Sequence, residues 1–474
     1  MAKRIKADIC IIGAGSGGLS VAAGAAQMGA RTVLIERDEM GGDCLNTGCV
    51  PSKALIAAGR QAYRMGAGEP FGIAPVKPEV DFARVHDHVH SVIAAIAPND
   101  SVARFEGLGV NVIKEHGRFR DASTVIAGNA EITARRFVVA TGSRPFVPPI
   151  PGLDKVPFHT NETIFRNKIC PEHLIILGAG PIGMEMAQAH HRLGARVTVL
   201  ETLKALARDD EEISALVVAR LRKEGVDILE GVKIVSVSGG EGEVKVVLSG
   251  RDGEREIAGT HLLVATGRRA NVEGLDLEKA GIEYTDRGLR VDERLRTTNK
   301  RVFGIGDVAG GPQFTHVAGY HAGIVIRNAL FRVPAKADHS AIPHVTYTDP
   351  ELAHVGLTEA EARAKGLSIN VLRWHLAEND RAQAERETEG VIKVVTDNHA
   401  RVLGATIAAP HAGELILPWV LAKSQALKLS AMASVVAPYP TLAEISKRAA
   451  GSYYTPTLFS TKTKMLVRFL GLFG

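Results

Sequence analysis

Two short apolar runs in the chain are each followed by a glycine-rich turn. The first run, residues 8–12, leads into Gly13-x-Gly15-x-x-Gly18, which opens an alanine-rich helix. A further strand at residues 30–35 ends at Glu36. Strand, glycine turn, helix and a strand ending in an acid are typical of a βαβ unit that binds a dinucleotide.

The same pattern returns in the second third of the chain. Residues 174–177 precede Gly178-x-Gly180-x-x-Gly183, and residues 194–200 end at Glu201. In both copies the acid follows the first glycine by 23 positions, from 13 to 36 and from 178 to 201. Two copies in one register argue against a chance glycine-rich turn, so the chain is expected to hold two nucleotides.

Each copy closes with another apolar strand and a glycine turn, and a third such strand follows later in the chain. Residues 137–142 end in Thr141 and Gly142, residues 262–267 end in Gly267, and residues 302–307 end in Gly306 and Asp307. From about residue 344, strands and helices alternate without a dinucleotide fingerprint. The pattern predicts an α/β protein with two Rossmann-like dinucleotide-binding domains and a third, C-terminal domain.

Composition narrows the class of protein. The chain has 474 residues, 45% hydrophobic and 23% charged, and its 49 glycines follow no G-X-Y period. These values exclude a disordered or collagen-like chain. Fifty-seven basic and 52 acidic residues give a net charge of +5 without a basic block, so nucleic acid is not an expected partner. Four cysteines are too few for a secreted disulfide framework.

The N-terminus imitates a signal peptide or a membrane span. Residues 9–30 carry no charge and follow the basic residues Lys3, Arg4 and Lys6. Glycines of the fingerprint interrupt this stretch, which favours a strand–turn–helix over an inserted helix. We therefore expect a cytoplasmic protein without a targeting segment, and no membrane as its partner.

The fingerprint residues have separate physical roles. The first glycine permits a tight turn, the second lets the backbone approach a pyrophosphate, and the third allows close packing of helix on strand. Glu36 and Glu201 can accept hydrogen bonds from ribose hydroxyls. A carboxylate at position 201 would repel a 2′-phosphate, so NADH is expected in preference to NADPH, although Lys204 and Arg208 lie close by.

A pair of cysteines follows the first unit. Cys44 and Cys49 are five positions apart, after Gly41 and Gly42 and before Pro51. Proline belongs in the first turn of a helix, so Cys49 is expected at the helix N-terminus, which stabilises a thiolate. Lys53 lies one turn later on the same face and adds a positive charge. The pair is predicted to be reactive.

The segment from Gly41 to Lys53, GGDCLNTGCVPSK, resembles the active-site signature of the flavoprotein disulfide reductases. That family, the class I pyridine nucleotide-disulfide oxidoreductases, includes dihydrolipoyl dehydrogenase, glutathione reductase and mercuric reductase. Both fingerprints, both Ala-Thr-Gly turns, the Gly-Ile-Gly-Asp segment at 304–307 and the Thr-Asp-Pro-Glu segment at 348–351 extend the resemblance through nearly the whole chain.

The resemblance implies a fold, two cofactors and a redox centre. FAD would occupy the first unit, with Glu36 on the adenosine ribose and Asp307 on the ribityl chain, and a nicotinamide nucleotide would occupy the second. The cofactor-binding residues would be Gly13, Gly15, Gly18, Glu36, Gly42, Thr141, Gly142, Gly178, Gly180, Gly183, Glu201, Gly267, Gly306 and Asp307. An FAD-binding domain would be formed by residues 1–151, which carry the redox disulfide, together with residues 271–343. Residues 152–270 would bind NAD, and residues 344–474 would be the α+β dimerisation domain of a homodimer.

The resemblance also implies catalytic roles. Cys49 would be the thiol beside the flavin and Cys44 the thiol that meets the substrate. Lys53 would lie near the flavin ring and pair with Glu185. Tyr439 and Glu444 would act from the partner chain, the tyrosine as a proton donor or weak ligand.

Tyr439 departs from several family members. Dihydrolipoyl dehydrogenase and glutathione reductase have a histidine in this His-Pro-Thr segment, whereas the chain has Tyr439-Pro440-Thr441 followed by Glu444. A phenol with a pKa of about 10 is a poor base at neutral pH compared with imidazole, at about 6.5. Mercuric reductases resemble this segment but end in a vicinal cysteine pair, and the chain has no cysteine after Cys170.

Three functions remain open at this stage. The first is a mercuric-reductase-like enzyme that passes electrons from NAD(P)H through FAD and the cysteine pair to a soft, thiophilic acceptor, with a separate carrier protein supplying the thiols that the tail lacks. The second is an enzyme like dihydrolipoyl dehydrogenase that acts on lipoamide or another disulfide. The third is a flavin-containing redox sensor or partner-binding protein without efficient turnover.

Several further features carry expectations of their own. Asp43 is expected to raise the pKa of the neighbouring Cys44 thiol. His86 and His90 share a helix face but have no third ligand nearby, so no metal site is predicted. Cys10 is expected in the core and Cys170 at the surface. The apolar and basic tail at 462–474 is expected to pack on the partner subunit in preference to a membrane.

Overall fold

The N-terminal third of the chain surrounds a mainly parallel sheet with helices. This computed structural model describes residues 3–250 and 253–473. The elements of this third are β1 (Lys3–Ile12), α1 (Ser16–Gln27), β2 (Thr32–Ile35), α2 (Gly42–Asn46), α3 (Cys49–Gly66), α4 (Phe82–Ile96), α5 (Val102–Gly107), β3 (Val110–Ile113), β4 (Gly117–Asp121), β5 (Thr124–Ala127), β6 (Ala130–Val139) and β7 (Ser143–Pro145).

Strand β1 lies at the centre of this sheet, whose order is β3-β2-β1-β6-β5-β4, and it runs parallel to both neighbours. Ile9 and Ile11 belong to the buried layer that includes α1, whereas Cys10 and Ile12 belong to the layer on the other face. Because both faces are buried, the C-terminal half of the strand is apolar throughout instead of alternating.

The second unit repeats this βαβ arrangement. Its elements are β8 (His173–Leu177), α6 (Pro181–Arg192), β9 (Arg196–Leu200), α7 (Glu211–Glu224), β10 (Asp227–Leu229), β11 (Lys233–Gly240), β12 (Glu243–Gly250), β13 (Gly253–Gly259), β14 (His261–Val264) and β15 (Arg268–Ala270). A parallel sheet has the order β10-β9-β8-β14, and β11, β12 and β13 form an antiparallel sheet. Strand β15 pairs with β7 and so connects the second unit to the first.

The chain then returns to the first sheet. The elements of this return are β16 (Tyr284–Thr285), β17 (Gly288–Leu289), β18 (Val302–Gly304) and α8 (Thr315–Ile326), which continues into a π-helical turn at Arg327–Phe331. Strand β18 pairs in parallel with β6, and α8 packs on α1. The residues around Asp307 therefore lie beside the first glycine fingerprint although they are far from it in sequence.

The C-terminal region is an antiparallel sheet with helices, in the strand order β19-β20-β23-β22-β21. Its elements are β19 (His344–Thr346), β20 (Glu351–Gly356), α9 (Glu359–Ala364), β21 (Ile369–His375), α10 (Asp380–Glu385), β22 (Val391–Asp397), β23 (Val402–Ala409), α11 (Ala412–Leu415), α12 (Leu417–Ser424), α13 (Leu429–Ala433), α14 (Glu444–Ser452), α15 (Thr455–Leu458) and α16 (Thr461–Leu470). The buried Lys393 of β22 contacts Asp210 at 2.9 Å and Glu212 at 2.8 Å, which attaches this region to the start of α7.

The predicted fold class is confirmed: the chain is an α/β protein with two Rossmann-like units and a C-terminal α+β domain. Across residues 3–250 and 253–473, no helix combines the length and the apolar character that a membrane crossing requires. Cys10 is fully buried, as expected. Cys170 is half-buried against Leu193 instead of lying at the surface, because its segment packs on the end of α6.

Candidate active site

The cysteine loop lies directly on the first glycine fingerprint. Gly41 and Gly42 both have a positive φ, 86° and 59°, and the backbone nitrogen of Gly41 donates to Ala14 at 2.9 Å. A Cβ on Gly42 would lie 2.8 Å from the Cα of Gly15, so no larger residue fits between the two segments. Helix α3 begins at Cys49, with Pro51 in its first turn, as predicted.

The two cysteines are free thiols that interact with each other, Cys44 partly buried and Cys49 exposed. The pKa of Cys49 is lowered to about 6, first by a hydrogen bond from the Cys44 thiol and then, to a smaller extent, by the Thr315 hydroxyl and the Lys53 charge. The same hydrogen bond, together with burial, raises the pKa of Cys44. The arrangement therefore favours the thiolate form of Cys49 and the protonated form of Cys44.

Thr315 was not predicted from the sequence. Its Oγ1 lies 3.4 Å from the Cys49 Sγ, although 266 positions separate the two residues. Thr315 is the first residue of α8, which the return of the chain to the first sheet brings beside the cysteine loop. A hydroxyl that donates to the sulfur stabilises the thiolate form.

Lys53 lies in a small polar cluster behind the cysteines. Its Nζ contacts the Glu185 carboxylate at 2.8 Å and lies 4.3 Å from the centre of the Tyr347 ring. Glu185 is 4% exposed, and its other oxygen accepts a hydrogen bond from the Tyr347 backbone nitrogen at 2.9 Å. The cluster joins α3, α6 and the start of the C-terminal domain, and it fixes the position of a positive charge beside Cys49.

Asp43, next to Cys44, is the acid of a network that extends to Asp307. Arg268 contacts Asp43 at 3.1 Å and donates to the Ser143 hydroxyl at 2.7 Å. Ser143 in turn donates to the Asp307 carboxylate at 2.5 Å. Asp43 raises the pKa of Cys44 as expected, but Cys49 and burial are the larger causes, and the guanidinium of Arg268 partly neutralises its charge.

Asp43 is also bound from its own loop and from a neighbouring segment. The hydroxyl of Thr47 donates to the carboxylate at 2.7 Å, and the side-chain amide of Asn161 donates to it at 2.9 Å. The same amide reaches the Thr47 carbonyl at 3.1 Å. These bonds fix the conformation of the loop between the two cysteines.

Glu36 and Glu201 make equivalent backbone contacts. Glu36 accepts hydrogen bonds from the nitrogens of Ala14 at 2.6 Å and Asp38 at 2.8 Å. Glu201 accepts from the nitrogens of Ala179 at 2.8 Å and Leu203 at 2.9 Å. Each carboxylate thus holds the turn after the first fingerprint glycine, and each leaves lone pairs for a ribose hydroxyl.

The residues of both fingerprints fit a nucleotide pyrophosphate. Helices α1 and α6 begin at N-cap residues Gly15 and Gly180, without a side-chain cap and without an acid in the first turn. A Cβ on Gly15 or Gly180 would meet nothing within 4 Å, whereas one on Gly18 or Gly183 would collide with the backbone of the first glycine. The open space and the uncapped backbone nitrogens form a cradle for an anion.

The remaining predicted residues lie at the turns that follow strands β6, β14 and β18. The hydroxyl of Thr141 donates to the Asn271 carbonyl at 2.7 Å, and Gly142, Gly267 and Gly306 have positive φ values of 68°, 132° and 66°. Burial raises the pKa of Asp307, which leaves a carboxyl group suited to hydrogen bonding with a hydroxylated chain. The residues of the first unit fit FAD, and the residues of the second unit fit a nicotinamide nucleotide.

Tyr439 and Glu444 are not at the cysteines of their own chain. Tyr439 is 70% exposed, and its hydroxyl donates to Asp380 at 2.9 Å instead of contacting Glu444. That bond raises the pKa of the phenol. The expectation that both residues reach the cysteines of a partner subunit therefore stays a prediction.

His86 and His90 lie on the same face of α4, as predicted. The rings of His86 and His90 are 4.1 Å apart, and His90 bonds to the carbonyl of Phe165 at 3.1 Å. Within the two described ranges, no group of three or more metal-binding side chains is found.

Sequence reasoning missed Thr315, Tyr347 and Arg268. Arg268 directly follows the predicted Gly267 turn, and Tyr347 precedes the Thr-Asp-Pro-Glu segment, so both lie next to motifs that the sequence did reveal. Thr315 has no such signal, because its role depends on the pairing of β18 with β6 and the packing of α8 on α1.

Known proteins resemble the chain along nearly its whole length. The profile of the pyridine nucleotide-disulphide oxidoreductase family matches residues 7–322, and the profile of its dimerisation domain matches residues 342–450. A mercuric reductase from Lysinibacillus sphaericus is 37% identical over 448 residues, which cover 94% of this chain and 82% of the relative.

Two further proteins add to this comparison. A dihydrolipoyl dehydrogenase from Geobacillus stearothermophilus is 33% identical over 453 residues, covering 94% of this chain and 96% of the relative. The solved copper(II) complex of RclA, an HOCl-induced flavoprotein disulfide reductase from Escherichia coli, matches with a TM-score of 0.84 at 29% identity and covers 93% of this chain and 98% of that one.

Proposed function

Because the chain belongs to the pyridine nucleotide-disulphide oxidoreductase family, we propose that it uses NADH and FAD to reduce a soft, thiophilic metal ion at Cys44 and Cys49. Mercuric ion is the acceptor we favour. The observation that carries the proposal is the thiolate and thiol pair, in which Cys49 has a pKa of about 6 while Tyr439 stands in place of a histidine base.

The cysteine pair suits a soft metal ion better than a dithiol substrate. Oxidising a dithiol requires a base that accepts a proton near neutral pH, and a phenol bonded to Asp380 is a poor one. A metal ion bound by two sulfurs needs only that the Cys44 proton leave, and thiolates prefer soft metals. Cys44, which is partly buried, would be the first sulfur to meet the incoming ion.

In the proposed reaction, the bound FAD would supply the transfer of two electrons from NADH to the cysteine pair. Two electrons and one proton convert a Cys44–Cys49 disulfide to a Cys49 thiolate and a Cys44 thiol. Hg(II) then binds both sulfurs and the Cys44 proton is released. Two further electrons from NADH yield Hg(0) and two thiolates, and Cys44 takes up a proton again. The net change is NADH and Hg(II) to NAD⁺, Hg(0) and one proton.

Residues of the chain support each of these steps. Thr315 and Lys53 stabilise the negative charge on Cys49, and Glu185 holds Lys53 in place. The network of Arg268, Ser143 and Asp307 positions Asp43 beside Cys44. We propose that the metal arrives as a complex with small thiols or with a separate carrier protein.

The named relatives support this proposal at the level of acceptor class. A relative at 37% identity is named a mercuric reductase, and a solved flavoprotein disulfide reductase of similar fold is described as a copper(II) complex. Copper(II) is therefore a second metal to test. Free thiols and a nicotinamide coenzyme fit a reducing cytoplasm, which is where we place the enzyme, and the dimerisation-domain match favours a homodimer.

The acceptor is tested by steady-state turnover. The purified holoenzyme is given NADH and, separately, a Hg(II)–thiol complex, a Cu(II)–thiol complex, lipoamide and glutathione disulfide, with Cys44→Ser and Cys49→Ser as controls. Fastest NADH oxidation with Hg(II), lost in both variants, is the expected result. No turnover with any acceptor, despite a disulfide that takes up two electrons, would favour a redox sensor instead.

Coenzyme preference is tested separately by stopped-flow reduction with NADH and with NADPH. Glu201 places a carboxylate at the end of β9, so NADH is expected to react faster. Faster reduction by NADPH would contradict this assignment without affecting the acceptor.

A second candidate function is disulfide reduction of the kind that dihydrolipoyl dehydrogenase carries out. The retained Glu444 and a relative of that name at 33% identity favour it. The variant Tyr439→His restores an imidazole at this position. If histidine in place of Tyr439 raises dihydrolipoamide oxidation at least tenfold while the wild type is nearly inactive, the tyrosine is what excludes this activity.

A further inference from the structure

A charged cavity lies beside the first sheet, away from the cysteines and both fingerprints. It has a volume of about 210 Å³ and opens to solvent. Its polar lining is almost wholly basic: Arg136, Arg294, Arg296, Lys300, Asn328 and Arg332. Arg136 lies on β6 four residues before Ala140, so about 13 Å of extended chain separates it from the end of the strand that meets the first glycine fingerprint.

The positive charges of this cavity exceed the nearby negative ones. One carboxylate lies near them: that of Asp292, which contacts Arg296 at 2.8 Å and Lys300 at 3.8 Å. Arg136, Arg294 and Arg332 have no carboxylate within 4 Å in the described ranges. Burial lowers the pKa of Arg136 most, and repulsion from the neighbouring cations Arg135, Arg301 and Arg332 lowers it further.

The backbone around the cavity is held in an unusual conformation. Leu295, between Arg294 and Arg296, has a φ of 63°, and Arg332 has a φ of 55°. Arg332 directly follows the π-helical turn at Arg327–Phe331. Such conformations cost free energy in non-glycine residues and concentrate at sites that bind ligands.

Asn328 fixes the loop that carries Arg332. Its side-chain nitrogen donates to the carbonyls of Ile324 at 3.0 Å and Ala335 at 2.8 Å, and its oxygen accepts from the Ala335 nitrogen at 3.2 Å. The guanidinium of Arg332 is thus presented by a braced loop although the residue itself is exposed.

We propose that this cavity is a binding site for an anion with two or more linked phosphate groups, such as a tripolyphosphate or the phosphate chain of a nucleotide. A guanidinium group binds two phosphate oxygens at once. Three unpaired arginines therefore match an anion with several negative charges better than an anion with one. A bound phosphate chain relieves the mutual repulsion of the arginines. The site is independent of the proposed function.

The test is calorimetric titration of the FAD-loaded enzyme with inorganic tripolyphosphate at constant ionic strength, with NAD⁺ saturating the nicotinamide site. The test variant is Arg294→Ala with Arg332→Ala. The matched control is Arg166→Ala with Arg287→Ala, two exposed arginines outside the cavity. FAD content and the rate of NADH oxidation are measured for the wild type, both double variants and Cys44→Ser. FAD content reports folding, and NADH oxidation by Cys44→Ser gives the baseline rate.

We expect one saturable site in the wild type, weakened about a hundredfold in the test variant and by less than about twofold in the control. Orthophosphate is expected to bind at least tenfold more weakly. Absence of saturable binding, equal binding of orthophosphate, or unchanged binding in the test variant overturns the proposal. Titration with ATP identifies the source: tighter binding than tripolyphosphate indicates a nucleotide, and weaker binding indicates inorganic polyphosphate.

Discussion

At the scale of single residues, the hydrogen bond from Cys44 to Cys49 separates the pKa values of two neighbouring thiols. Cys44, the donor, tends to keep its proton, and Cys49, the acceptor, tends to lose its proton. The sulfur of Cys49 is therefore the more nucleophilic of the two. Thr315 and Lys53 add to the effect on Cys49. A pair with this asymmetry can bind a metal ion through both sulfurs and release a single proton, that of Cys44.

Removing the donor should change the titration of Cys49. In Cys44→Ala the thiolate loses its main stabilising hydrogen bond, so the pKa of Cys49 rises from about 6. Cys44→Ser keeps a hydroxyl donor and should shift it less. Thiolate is present above the pKa and is lost as the pH falls through it, so ultraviolet thiolate absorbance across a pH series measures the shift. Identical titrations of the two variants would contradict the assignment.

Arg268 should protect the thiolate from Asp43. In Arg268→Ala the Asp43 carboxylate loses a cation 3.1 Å away, so its negative charge acts more strongly on both sulfurs. The pKa of Cys49 is expected to rise, because a nearby negative charge disfavours a thiolate. Adding Asp43→Asn should reverse that rise. A double variant that titrates like Arg268→Ala alone would show that Arg268 acts by another route.

At the scale of elements, the two βαβ units use the same turn. The third glycine of each fingerprint packs against the first, whereas the second faces open space at the start of α1 or α6. The third glycine therefore serves packing, and the second leaves the space that we expect a nucleotide to occupy. The second glycine can be changed without disturbing the protein itself.

This division gives a direct prediction for the second unit. Gly180→Ala should fold normally yet reduce kcat/KM for NADH by about 10²-fold, because the new methyl group occupies space at the pyrophosphate cradle. Gly183→Ala should destabilise the unit, because its Cβ collides with Gly178. Thermal unfolding and steady-state kinetics of both variants separate the effects. A stable, fully active Gly180→Ala enzyme would contradict the proposed nucleotide position.

Elements built from contiguous residues could be predicted, and long-range contacts could not. Both strand–glycine–helix units and the helix start at Cys49 follow from local patterns of apolar residues, glycine and proline. Thr315 and Arg268 reach the cysteine loop only after β18 and β15 have paired with the N-terminal third of the chain. Sequence spacing carries no information about such pairings, so these residues were missed.

At the scale of the whole molecule, the C-terminal tail exposes most of its apolar side chains. Helix α16 has no buried residue, and Leu472 and Phe473 beyond it are 77% and 76% exposed. Three basic residues, Lys462, Lys464 and Arg468, accompany these apolar side chains. So much exposed apolar surface indicates a binding surface, and we propose that the partner subunit covers it.

Deleting residues 462–474 should therefore weaken the dimer. Loss of the apolar contact is expected to raise the dimer dissociation constant roughly tenfold or more, measured by analytical ultracentrifugation. Pelleting with anionic vesicles should be absent in both the full-length and the shortened protein. Pelleting of the full-length protein alone would show that the tail binds a membrane.

The proposed function requires that electrons from NADH pass through the cysteine pair to a metal ion. The most direct measurement is the rate at which the holoenzyme releases mercury vapour from a Hg(II)–thiol complex with NADH, compared with its rate of lipoamide reduction under the same conditions. We expect mercury release to be faster and to vanish in Cys44→Ser and Cys49→Ser. Faster reduction of lipoamide, or mercury release that survives both substitutions, would contradict the account.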